Sequence, residues 1–194
     1  MYDLQPHRRW RADYRVEEDR KTPFFGEQNL EPKKIYNFLI HENWDSCGSS
    51  TLFLKLLFAD YDKQYVIIEL IGEWNDVLHN DVMYLKRNVI EKLLDAGISK
   101  YILVMENVLN FHADDDDYYA EWFEECLDND NRSRGWICMI NAFDHVVDEV
   151  VSARLQRNVY AGHQFNGIEW RMLSPKKVFE AIELKIVTSQ RTLD

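Results

Sequence analysis

YVIIELI, residues 65–71, is an apolar run of strand length, and what stands on either side of it decides the fold. Before it lies TLFLKLLFA (51–59), nearly continuous in apolar residues, with only the polar stretch 60–64 between them. That spacing suits an antiparallel hairpin. After it the pattern alternates between strand and helix. Val82, Leu85, Val89 and Leu93, flanked by Met83, Lys86, Ile90 and Leu94, form a helical stripe over 80–96 that stops at Gly97. YILVM (101–105) reads as a buried strand, 118–127 as a short aromatic helix, WICMI (136–140) as another buried strand and 144–156 as a helix. A last strand is expected over 168–173. Ser174 and Pro175 then supply an N-cap and a first-turn proline for a helix carrying Val178, Phe179, Ile182 and Ile186.

Strands joined through helices run parallel with right-handed crossovers. The expected fold is therefore α/β: a mostly parallel sheet of five to six strands, four of them parallel, with the N-terminal antiparallel hairpin at an edge and helices packed on the sheet. Residues 35–41 alternate moderately and add a further strand. One domain spans 35–194, behind an arm over 1–34 that holds Pro6, Pro23, Pro32 and the basic, aromatic run His7-Arg8-Arg9-Trp10-Arg11.

The chain has 194 residues, of which 46% are hydrophobic and 13% aromatic, enough to form a full core. Its formal net charge of −11 argues against nucleic acid and anionic membranes as partners. The arm has a slight basic excess, so the acidity lies in the body. Charge complementarity then favours docking of Arg8, Arg9, Trp10, Arg11, Tyr14 and Arg15 on the protein's own acidic surface, or on a second subunit in a homodimer. Cys47, Cys126 and Cys138 are odd in number and lack metal-ligand spacing, which predicts reduced, mostly buried thiols. No segment reads as a signal peptide or a membrane span, and the cytoplasm is the expected location.

In open parallel sheets ligands bind beyond the carboxyl ends of the strands. The groups expected there are Glu73, Trp74, Asn75 and Asp76 after the first parallel strand, Glu106, Asn107, Asn110 and His112 after the second, Asn141, Asp144 and His145 after the third, and Ser174 after the fourth. Helix capping is the simpler account of the Asn, Asp and Ser residues. Glu73, Trp74, Glu106 and His112 are less easily explained as caps, and the expectation of a binding rim rests on them. Two carboxylates and a histidine would also suit a divalent cation or acid-base work.

Asp114 to Asp117 is a run of four carboxylates leading into a helix, where acidic groups complement the helix dipole. At about 100° per residue only Asp114 and Asp117 share a face, so the run alone is not a cation site; Mg²⁺ or Ca²⁺ would need Glu106 or His112 as well. The stretch 45–50 (DSCGSS) reads as a turn. It lacks the lysine and following helix of a phosphate loop and the pattern of a hydrolase elbow, and His41 near Cys47 is only a weak case for a thiol nucleophile. No dinucleotide fingerprint or zinc motif occurs.

The order of elements from residue 51 onward, through "YVIIELIGEW", "YILVMENVLNF" and "GWICMINAF", resembles the STAS domain of anti-sigma-factor antagonists. In that family the loop after the second conserved strand carries a phosphorylatable hydroxyl; here the matching stretch is His112-Ala113-Asp114-Asp115-Asp116-Asp117, which has none. The whole chain, through "PHRRW", "IHENWDSCGSSTL", "IELIGEWND" and "ENVLNFH", also resembles members of an uncharacterised bacterial protein family, a likeness that implies no activity. With no complete catalytic set, the expectation is a cofactor-free, non-enzymatic binding or regulatory protein that recognises a protein partner or small ligand at the rim. The alternative is a divalent-metal-dependent phosphoester hydrolase using Glu106, His112, Asp114 and Asp117.

Overall fold

The hairpin expected over 51–71 anchors the sheet. A computed structural model of the protein describes residues 4–27, 33–114, 117–128 and 135–191. Strands β3 (Asp45–Ser46), β4 (Leu52–Asp60), β5 (Tyr65–Asn75), β6 (Lys100–His112) and β7 (Trp136–Ile140) lie side by side in sequence order. The pairs β3–β4 and β4–β5 are antiparallel, while β5, β6 and β7 are mutually parallel. The expected strand over 35–41 is split by a turn, with Tyr36 at φ 52, into a separate ribbon of β1 (Lys33–Ile35) and β2 (Phe38–Ile40).

The protein is α/β with a mixed five-stranded sheet, and one expected strand is missing. Residues 168–173 form no strand; Trp170–Met172 is a 3-10 turn, so three strands are parallel instead of four. The outer edge of β7 is satisfied in other ways. Tyr160 exchanges backbone bonds of 2.8 Å with Met139 and Ile137. The Asn141 side chain accepts from Ile168 N at 3.0 Å and donates to Ile168 O at 2.9 Å, so an amide takes the place of a neighbouring strand.

The single helix expected over 80–96 is broken. Asn80, at φ 54, separates α1 (Asp76–His79) from α2 (Asp81–Leu85), and a π-helical turn over Lys86–Ile90 leads into α3 (Glu91–Asp95). A π turn takes one more residue than an α turn, and here it accompanies a fully buried Lys86. Its ammonium lies 2.9 Å from Glu125, 3.2 Å from Glu121 and 3.6 Å from Glu91. Two of those glutamates belong to α4 (Asp117–Asp128), so the lysine ties the broken helix to its neighbour. The remaining long elements are α5 (Asp144–Ser152) and α6 (Pro175–Arg191).

Each face of the sheet has its own core. Leu54, Ile68, Leu103 and Met139 on one face pack with Val89, Leu93, Trp122 and Val146 from the helices. On the other, Tyr65, Ile67, Ile102 and Cys138 meet Val178, Phe179 and Ile182 of α6 and Trp10 of the arm. Burying such side chains stabilises the fold by roughly 1.5–3 kcal/mol each. The arm contributes to both cores, since Val16 and Phe24 join the first. Its contacts are with its own chain: Trp10 donates to Leu173 O at 3.0 Å, and Trp44 donates to Leu4 O at 2.8 Å.

Candidate functional site

At the end of β5 the chain turns into α1 through a buried acidic network. Gly72 makes the approach feasible: at φ 119, a Cβ there would lie 2.0 Å from the Thr51 carbonyl oxygen. Asn75 caps α1, accepting from Leu78 N at 2.9 Å. Asp76 accepts from the Trp74 indole at 2.9 Å, Val82 N at 2.8 Å and the Tyr119 hydroxyl at 2.6 Å. Asp81 accepts from Asn75 N at 2.7 Å and the Thr51 hydroxyl at 3.2 Å, while its Oδ1 is buried with no hydrogen-bond partner among the described residues. Burial pushes the Asp76 carboxyl up to about 6 from its usual 3.8, against the three donors, with the nearby Asp81 charge adding to the rise. Trp74 is wholly buried in this network, not displayed on a rim.

A second cluster joins β5 and β6 to the arm and to the segment before α6. Glu69, fully buried, accepts from His7 N and Arg171 at 2.8 Å each and from the Asn107 amide at 3.4 Å. Glu106 accepts from the Trp170 indole at 3.1 Å and from the Arg171 guanidinium, whose Nε lies at 2.9 Å. Burial raises the Glu69 pKa although Arg171 and the His7 amide oppose it. Burial works against the Arg171 charge, but the two carboxylates outweigh it and raise its pKa. His7, between the Trp10 and Trp170 rings with centroids 4.9 Å from each, is lowered by burial and by Arg171 to about 4 and is neutral at physiological pH. The cluster fastens the arm and the segment before α6 to the sheet.

The rim itself is thinner than the sequence suggests. Glu73 accepts from the Tyr36 hydroxyl at 2.9 Å and the Asn110 amide at 3.2 Å. The next residue along, Leu109, is 55% exposed, and its carbonyl lies 2.7 Å from His145 Nε2. His145 stacks on the exposed Phe143 ring, centroid to centroid 5.6 Å. These contacts link Tyr36, Glu73, Asn110, Leu109, His145 and Phe143 in one line beside β6, which runs on from Val104, its last residue paired with β7, to His112.

Of the expected site residues, Glu73, Asn110 and His145 fall on this line. Asn75, Asp76 and Trp74 belong to the buried network, Glu106 and Asn107 to the arginine cluster, and Asn141 to the ladder substitute. The sequence reading has them converging, and they do not. His112, Asp114 and Asp117 are exposed, and residues 115 and 116 of the acidic run lie outside the described residues. Six strand residues at about 3.3 Å each set Glu106 and His112 about 20 Å apart, too far for one coordination sphere. Among the described residues no group of three His, Cys, Asp or Glu side chains could hold a metal ion. The turn after β3 holds Cys47 with its thiol 3.8 Å from Leu52 O, and burial pushes that thiol up to about 11, the reverse of an activated nucleophile.

Glu69, His7 and Arg171 are the functional-looking residues that the sequence reading missed. The signal was present in YVIIELI, because a charge inside a buried strand requires a partner from elsewhere in the chain. Compared with known proteins, the chain matches no family model and no curated protein.

Proposed function

We propose that the protein is a non-enzymatic binding module that engages a protein partner at the line Tyr36–Glu73–Asn110–Leu109–His145–Phe143. The observation that carries this reading is exposed apolar surface at the expected end of the sheet. Tyr36 is 58%, Leu109 55% and Phe143 43% exposed, set among polar groups that can orient a partner. The carboxylates of Asp76, Glu69 and Glu106 are engaged internally: Asp76 holds three donors, and Glu69 and Glu106 share Arg171. A STAS-like regulatory role is part of the proposal, supported by the antiparallel pair β4–β5 leading into parallel β6 and β7 with helices between. The closing strand of that likeness is replaced by a 3-10 turn.

The test compares wild type with Leu109→Asp and Phe143→Ser in capture from a cell extract, with thermal unfolding of each variant measured in parallel. A defined protein retained by wild type and released by both variants at unchanged melting temperature supports the reading. Identical capture by all three removes it, as does robust turnover of the wild type in a hydrolase screen.

A further inference from the structure

The turn of helix that follows β5 is fastened by a single titratable group. Of the four residues of α1 only Asp76 is buried, and Val77 and Leu78 are exposed, so no apolar side chain anchors the turn in the core. Its carboxyl collects donors from three elements instead: Trp74 of β5, Val82 of α2 and Tyr119 of α4. At the ends of the turn stand Asn75, whose side chain caps Leu78 N, and Asn80, in the left-handed region at φ 54. A second acid lies beside the first. Each carboxyl accepts from the amide next to the other, Asp76 from Val82 N and Asp81 from Asn75 N. Neither forms an ion pair among the described residues, and the fully buried Asp81 keeps one oxygen without a donor. The titratable groups facing the two acids are Tyr119 of α4, Cys47 of the turn after β3, and Tyr36 with its partner Glu73. His79 stands three residues on in α1, and His112 pairs with Asn75 on β6. No lysine or arginine is among them.

We propose that this corner is a pH-sensitive latch: while Asp76 holds a proton α1 is docked on Trp74 and Tyr119, and when it ionises beside Asp81 the turn swings out between Asn75 and Asn80 with the sheet intact. Two like charges buried together oppose full ionisation. Release returns the carboxylate to water at the loss of three hydrogen bonds and of no apolar burial by α1 itself, which makes a local opening easier than unfolding. The sign follows from burial. A carboxyl that titrates at about 6 when docked and at 3.8 when free favours docking in acid, and the preference is lost as pH rises through the higher value.

Amide hydrogen exchange of the full chain, followed residue by residue by NMR, tests the latch. Corrected for intrinsic rates, protection at Leu78 and Val82 is expected to fall about fiftyfold from about pH 4 to about pH 7.5, a ratio set by those two pKa values. Exchange at these amides should be insensitive to urea below the unfolding transition, unlike that of Leu103 in the core of β6, because a released turn exposes little surface. Asp76→Asn should abolish the pH response. Tyr119→Phe removes a donor to the ionised form and should carry the fall on to higher pH, which decides the matter if Asp76→Asn does not fold. His79→Gln and His112→Gln should leave the response in place. Protection constant with pH overturns the proposal, as does a response that survives in Asp76→Asn, is unshifted in Tyr119→Phe or disappears in either histidine variant. So does a urea dependence at Leu78 and Val82 equal to that at Leu103.

Discussion

Replacing Asp76 by Asn should change how stability depends on pH by an amount fixed by the burial of that carboxyl. The folded-state pKa, about 6, stands above the ordinary 3.8, so the native protein holds the proton more tightly than the unfolded chain. The proton's contribution is fully present below the unfolded pKa and is lost as pH rises through the folded one. Integrating between these values gives about 2 kcal/mol more stabilisation at about pH 4 than at about pH 7.5. The amide oxygen of the variant would still accept from the Trp74 indole and Val82 N, but the group would not titrate. Its altered bond to Tyr119 adds an offset that is constant with pH. Urea unfolding of both proteins at the two pH values isolates the titrating part. The wild type should gain on the variant by about 2 kcal/mol on acidification, whatever the offset. A difference that stays constant, or that moves against the wild type in acid, would refute the account of Asp76 as a buried carboxyl whose pKa is raised.

Arg171→Met should destabilise the fold by about 2–3 kcal/mol in chemical denaturation, less than for a wholly buried pair because the guanidinium is partly exposed; an unchanged midpoint would show that Glu69 needs no cation. Gly72→Ala combines φ 119 with a Cβ 2.0 Å from the Thr51 carbonyl, and should cost at least about 2–3 kcal/mol by the same measurement. All three cysteines are buried and free, so a thiol reagent should label none rapidly in the native protein and all three after denaturation; a fast native reaction at Cys47 would contradict its burial.

The elements legible in the sequence are those whose signals are local. WICMI matches β7 residue for residue, and Ser174-Pro175 marks the start of α6. Gly97 ends the broken helix at φ 92, its N–H bonded to Leu94 O at 2.8 Å while Ile98 N reaches Leu93 O. The misses depend on distant partners. β6 continues to His112 because Val108 and Phe111 find Gly72 and Trp74 across the ladder, although NVLNFH alternates too poorly to be read as strand. Residues 168–173 have the apolar content of a strand, but Trp170 and Arg171 turn to meet Glu106. The rim failed for a related reason: strand-end position identifies where a side chain starts, and the donors it finds there come from Tyr119, Val82 or Arg171, far along the chain.

The arginine cluster also imposes an order on synthesis. Glu69 takes one partner from His7, 62 residues before it, and its cation from Arg171, 102 residues after it. A nascent chain emerging from the ribosome therefore presents β5 and the arm long before the guanidinium arrives. Until then the carboxylate has no compensating charge within the core, and the face of the sheet that α6 will cover remains unsealed. The N-terminal half cannot complete its packing while the segment through α6 is still being made, so a pause in translation before residue 171 would hold open an apolar face for chaperones.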